Sequence, residues 1–157
     1  MIVIITGKID SGKTSKLRSV YNDSKAGDGF IIKKVYEHKN HIGQDIVRLS
    51  TGDYKSFSLK KSLVPQCWDE VYSYGPYSFS IQGFLFANSI ITDAIRKNYG
   101  PLYIDEIGPL ELQGKGFSDI LILALSSKKN LYITVRDTCL QAVIRKFDIH
   151  QFEVINI

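Results

Sequence analysis

Eight consecutive residues constrain this chain more than any others: Gly7-Lys8-Ile9-Asp10-Ser11-Gly12-Lys13-Thr14, directly after the apolar run Ile2-Val3-Ile4-Ile5-Thr6. They fit G-x-x-x-x-G-K-[ST], the phosphate-binding P-loop or Walker A motif. Such a loop needs a buried strand before it and a helix after it. Ile2 to Thr6 is β-branched throughout, as suits a strand buried on both faces. From Gly12 onward, Leu17, Val20 and Tyr21 fall at helical spacing on one face. Gly7 and Gly12 permit a tight turn whose N–H groups converge on one anion at a helix N-terminus. Lys8, Ile9, Asp10, Ser11 and Ser15 complete the candidate nucleotide-binding set around them. Lys13 is placed to meet β- and γ-phosphates, and the Thr14 hydroxyl to meet magnesium. Asp10 stands where many such loops carry a third glycine. Aspartate tolerates a left-handed backbone, and its charge is expected to point outward.

A chain of 157 residues, 44% of them apolar, fits one domain spanning 1–157. The net charge of +4 is mild, and the five arginines (Arg18, Arg48, Arg96, Arg136, Arg145) are scattered. That pattern describes a solvated surface, and polynucleotide binding is not expected. Cys67 and Cys139 lie far apart without a C-x-x-C pair, so neither a zinc site nor a disulfide framework follows. The opening apolar run has no basic region before it, and Ile120 to Leu125 is far below spanning length. A cytoplasmic protein with no membrane contact is the expectation; the sequence gives no protein partner.

Beyond the first helix, Phe30 to Tyr36 reads as a strand. Ile42 to Ser50 and Tyr54 to Leu59 alternate around Ser50-Thr51-Gly52-Asp53, a hairpin signal, and Val71 to Tyr74 is a further short strand. The region 38–77 thus reads as an antiparallel insertion or sheet extension. Its aromatics (Tyr36, Tyr54, Phe57, Tyr72, Tyr74, Tyr77, Phe79) fit core or cross-strand packing better than base stacking. Helices are predicted over Gly83 to Asn98, Phe117 to Ser126 and Thr138 to Phe147. Strands are predicted over Leu102 to Glu106, Leu131 to Val135 and Phe152 to Ile157. Strand–helix alternation at both ends predicts an α/β fold with a mostly parallel sheet flanked by helices.

Ligands in such sheets sit beyond the carboxyl ends of the strands, where Thr6, Asp105 and Arg136 all fall. Asp105 then suits the Walker B role, holding magnesium together with Thr14. Glu106 would orient and deprotonate an attacking water. Arg136 is either a stabiliser of charge on the transferring phosphoryl group or a partner of Asp137. Lys115 is expected in solvent, and Glu111 is either a structural support or a second layer behind the site. His38, His41 and His150 have no ligand spacing and are expected at the surface.

The run Asp105-Glu106-Ile107-Gly108-Pro109-Leu110-Glu111-Leu112 resembles the signature of a family of small nucleoside-triphosphatases first met in thermophiles, with a cancer-related human member. Gly43-Gln44-Asp45-Ile46-Val47 is similar to that family's Gly-Phe-Asp-hydrophobic strand, with Gln44 departing from Phe. Gly75-Pro76-Tyr77 resembles the family's Gly-x-Tyr turn before the long helix and Gly116-Phe117 a later Gly/Ser-Phe pair, so the resemblance spans nearly the whole chain. It implies magnesium-dependent hydrolysis of ATP, GTP, CTP and UTP with broad base tolerance. It also implies a RecA-like order, with one strand, Leu131 to Val135, between the P-loop strand and the Asp105 strand. Lys13, Thr14, Asp105 and Glu106 keep their roles under it. Asp10 and an early C-terminus, short of an Arg-containing tail, depart from the family pattern. Two rivals stay open on the same core: a nucleotide or small-molecule kinase, and a slow nucleotide-dependent switch acting through a partner.

Overall fold

The computed structural model describes all residues, 1–157, and places every strand in one nine-stranded sheet. In chain order the elements are β1 (Ile2–Gly7), α1 (Lys13–Ser24), β2 (Asp28–Glu37), β3 (Asn40–Arg48), β4 (Tyr54–Lys60), β5 (Glu70–Tyr74) and β6 (Tyr77–Ser80). Then follow α2 (Ile81–Arg96), β7 (Leu102–Ile107), α3 (Pro109–Leu112), α4 (Ser118–Ser126), β8 (Leu131–Arg136), α5 (Leu140–Lys146) and β9 (Phe152–Asn156). Across the sheet the order is β5-β6-β4-β3-β2-β7-β8-β1-β9. As expected, β8 lies between β1 and β7, parallel to both.

The sheet has two textures. From β2 to β9 all neighbours are parallel, and β1, β7 and β8 are buried nearly end to end because helices cover both faces. Successive residues go to opposite layers: Ile4, Ile104 and Ile133 join the large cluster with α2, α4 and α5. Ile5 and Tyr103 meet Leu17 of α1 on the other face, where Tyr103 also stacks on Tyr132. From β2 to β5 all neighbours are antiparallel. The expected insertion is therefore a continuation of the same sheet. Phe57, Phe79, Phe84 and Phe117 form its aromatic core, whereas Tyr36, Tyr54 and Tyr74 face solvent.

β2 belongs to both halves. It runs parallel with β7 only from Asp28 to Phe30, then leaves β7 and continues as the partner of β3. Two elements differ from the sequence reading. Tyr77–Ser80 is a strand, and Pro109–Leu112 forms a helical turn where only a bend was expected. Ser80 ends the strand and caps α2, accepting the Gln82 N–H (3.1 Å). No helix is long and apolar enough to cross a membrane.

Candidate active site

The P-loop joins β1 to α1 with the backbone its sequence calls for. Gly12 has φ 100° and Asp10 φ 59°, both left-handed. A Cβ on Gly7 would lie 2.6 Å from Ser11 Oγ and 2.7 Å from the Ile157 carbonyl oxygen, so this position has no room for a side chain. Ile157 N–H donates to the Thr6 carbonyl, which seats the last residue beside the loop. Lys13 Nζ curls back to donate to the Gly7 and Lys8 carbonyls. Ser15, the third residue of α1, is exposed. Asp10 does point outward, and it meets Lys34 Nζ at 2.6 Å.

At the end of β7, Asp105 is fully buried. Its Oδ2 accepts from Thr14 Oγ1 (2.8 Å) and from the Ile32 N–H (3.0 Å). Its Oδ1 accepts from Thr134 Oγ1 (2.6 Å) and from the Glu106 N–H (3.1 Å). Burial raises the Asp105 pKa, and these four donors work in the opposite direction by favouring the carboxylate. The Ile32 N–H is free to do this because β2 has just left the ladder with β7.

Consecutive strand residues point to opposite faces, which would send Asp105 and Glu106 apart. The structure bends that rule with a bulge. The β7–β8 register slips between Ile104 and Ile107, so Asp105 and Glu106 share one opposing residue, Thr134. Glu106 takes φ 62°, a left-handed conformation that costs a non-glycine residue about 1 kcal/mol or more. Its N–H donates to Thr134 Oγ1 at 2.8 Å. Removal from bulk water and then repulsion by Asp105 and Glu111 push the Glu106 pKa upward, while Lys34 and Arg136 pull it back.

Of the residues the sequence singled out, Thr14, Asp105 and Glu106 meet around this one point, while the Lys13 ammonium is held on the loop carbonyls. Arg136 ends β8 opposite Gly7, is exposed, and lies within electrostatic reach of Glu106. Asp137 accepts the Thr138 N–H (2.8 Å). Lys115 is exposed. Buried Glu111 proves to be a support: it accepts the Gly108 N–H (2.7 Å) and the Phe117 N–H (2.8 Å), tying down the loop between β7 and α4. His41 departs from the surface expectation. It is half-buried, and its Nδ1 lies 2.8 Å from Tyr77 Oη.

Three residues near the site were not foreseen: Thr134, Lys34 and Gln44. Gln44 Nε2 reaches Glu106 Oε1 at 3.5 Å, and Ser58 Oγ donates to Gln44 Oε1 at 3.4 Å. A lone threonine in the apolar run Leu131 to Val135 was a usable signal for Thr134. Lys34 carried none; Gln44 was marked only as a departure from the family pattern, and its reach to Glu106 depends on strand register.

The donor set fits magnesium, pairing a threonine hydroxyl with a buried carboxylate, both hard oxygen ligands. The family model described as NTPase matches residues 2–157. The chain belongs to the nucleoside-triphosphatase family. The nucleoside-triphosphatase THEP1 of Natranaerobius thermophilus is 30% identical over 135 residues, covering 85% of this chain and 73% of that protein. THEP1 of Archaeoglobus fulgidus is 26% identical over 164 residues, covering 99% and 92%. The crystal structure of THEP1 from Aquifex aeolicus shares the fold at TM-score 0.74 and 24% identity, covering 99% of this chain and 89% of its own. The solution structure of a human cancer-related nucleoside triphosphatase gives TM-score 0.71 at 26% identity, covering 99% and 87%. In this nucleoside-triphosphatase the P-loop and the Asp105–Glu106 bulge lie at one end of three adjacent strands, β7, β8 and β1.

Proposed function

We propose that this enzyme, acting as a single domain, hydrolyses nucleoside triphosphates to diphosphate and phosphate, with magnesium and with broad tolerance of the base. The observation that carries this reading is the 2.8 Å contact between Thr14 of the P-loop and buried Asp105, with Glu106 next in the chain. Thr14 and Asp105 would hold the ion, which when bound would offset charge on the β- and γ-phosphates. The loop's N–H groups cradle the phosphates, and Lys13 exchanges its two loop carbonyls for phosphate oxygens. The Glu106 carboxylate takes a proton from water as the water oxygen attacks the γ-phosphorus and the bond to the β-phosphate oxygen breaks. Its upward-shifted pKa makes it a better base than an ordinary carboxylate. Arg136 then faces the developing charge on the equatorial oxygens.

The test is phosphate release from ATP, GTP, CTP and UTP with magnesium, in wild type and Glu106→Gln. Steady turnover on several bases that collapses in the variant while binding persists supports the hydrolase. Binding without turnover in wild type sinks it, and points to an acceptor molecule or a stimulating partner instead.

A further inference from the structure

The P-loop of this chain carries an acid at its tip, and a triphosphate brings several more negative charges to the same place. Asp10 is 66% exposed in its side chain, and its partner Lys34 is 39% exposed. Ion pairs this open add little to stability, so the 2.6 Å contact calls for another account. Lys34 comes from the other half of the sheet, on β2 past the point where β2 leaves β7. It pairs in register with Gln44 of β3, so the two side chains share a face. Gln44 touches Glu106, and the Lys34 ammonium is itself within electrostatic reach of Glu106. Lys34 therefore stands across the gap between the P-loop tip and the carboxylate that directs water. On the reading above, that gap is where the γ-phosphate sits.

We propose that Lys34 is a γ-phosphate-binding residue of this site, held on Asp10 in the free protein and transferred to the γ-phosphate when a nucleoside triphosphate binds. The inference rests on the hydrolase reading. The Asp10 carboxylate holds the ammonium at the mouth of the loop and offsets its charge there. A doubly charged terminal phosphate outcompetes one carboxylate for it, by both charge and number of acceptors. A diphosphate has no group at that position and leaves the pair intact. Lys34 thus separates substrate from product, favouring triphosphate entry and diphosphate release.

The test compares Lys34→Met, Asp10→Asn and the double variant, each confirmed folded by circular dichroism. Magnesium-dependent binding of ATP and ADP is measured by calorimetry, alongside kcat and KM for ATP. The expected result is that Lys34→Met loses about tenfold or more in ATP affinity and in kcat/KM, with ADP affinity unchanged within about twofold. Asp10→Asn alone is expected to keep or tighten ATP binding, because it frees the lysine, and the double variant is expected to keep the full Lys34→Met loss. A purely shielding role for Lys34 gives another pattern. Lys34→Met would then weaken ATP and ADP alike, and Asp10→Asn would restore both; that result overturns the proposal. Failure of the hydrolase reading is separately visible, since wild type would then release no phosphate from ATP.

Discussion

The two halves of the sheet make unlike contributions to the same site. The parallel half, β7, β8 and β1, supplies groups whose position is fixed by burial: Asp105 is fully buried and Thr134 nearly so. The antiparallel half supplies Lys34 and Gln44, long side chains whose tips reach inward from partly open strands. The difference follows from what covers each half. Helices on both faces of the parallel strands leave their carboxyl ends as the place where loops converge. The antiparallel strands carry one aromatic core and present the rest to solvent. Rigid groups suit metal and water positioning, which tolerate little displacement. Flexible cations suit a ligand that arrives and leaves.

The largest effect should come from the parallel half. Glu106→Gln removes the proposed base but keeps the shape and the backbone bulge, so kcat should fall by about a thousandfold, within the usual range for a lost general base. KM should change little. Phosphate release under single-turnover conditions checks this, and a loss under tenfold would move the base elsewhere.

Next in size is the junction between the halves. Asp28 of β2 is buried at 1% exposure and accepts from Arg48 Nε (2.6 Å), while Arg48 also reaches Asp93 of α2 (2.9 Å). Breaking such a pair leaves a buried carboxylate with only the Gly29 and Ser50 N–H groups as partners. Arg48→Leu should cost about 3 kcal/mol in urea unfolding. A cost below about 1 kcal/mol would mean that the halves are held by packing alone. The same network sets an acid limit. Hydrogen bonds from Arg48, then Lys97 and Arg96, hold the Asp93 carboxyl below its usual pKa. A depressed folded pKa gives stability that is present above the unfolded value of about 3.9 and lost as pH falls toward the folded one. The advantage of wild type over Asp93→Asn should therefore be full at neutral pH and shrink below about pH 4.

How much of this was legible in the sequence divides along the same line. The P-loop and the Asp105–Glu106 strand end are local patterns, and the place of β8 between β7 and β1 came from the family resemblance. The bulge that brings Asp105 and Glu106 to bear on Thr134 is not local. It exists because β7 has one more residue than β8 between two points of pairing. Lys34 gave no local signal, since its contact with Asp10 joins two segments that are distant in the chain. Strand Tyr77–Ser80 was missed because it is four residues long and runs directly into the cap of α2. For the bulge and for Lys34 the deciding contact joins residues distant in the chain.

Thr134→Val tests that bulge with a nearly isosteric change. It removes the donor to Asp105 Oδ1 and the acceptor of the Glu106 N–H while keeping β-branching. Leaving the part-buried Glu106 N–H with only Asp105 Oδ1 as acceptor, and that buried carboxylate with one donor fewer, should cost about 2 kcal/mol of stability. Activity should fall further than stability requires, because both carboxylates lose their common anchor. Unchanged kcat in a destabilised variant would show that the bulge holds without its threonine.

The smallest effect belongs to Gln44, and it is the one that decides how far the antiparallel half enters the chemistry. Its bonds to Glu106 and from Ser58 are long, 3.5 and 3.4 Å, at the outer limit for hydrogen bonding. Removing them in Gln44→Ala should cost about 0.5 kcal/mol, or about a twofold fall in kcat, at the low end for a neutral contact. Because the contact is to Glu106, the proposed base, and not to phosphate, KM and the ATP-to-ADP affinity ratio should stay fixed. That separates Gln44 from its register partner Lys34, whose loss is expected in the affinity ratio. If Gln44→Ala instead shifts the ratio while sparing kcat, then β3 serves phosphate binding as β2 does, and the Glu106 carboxylate is oriented by the parallel half alone.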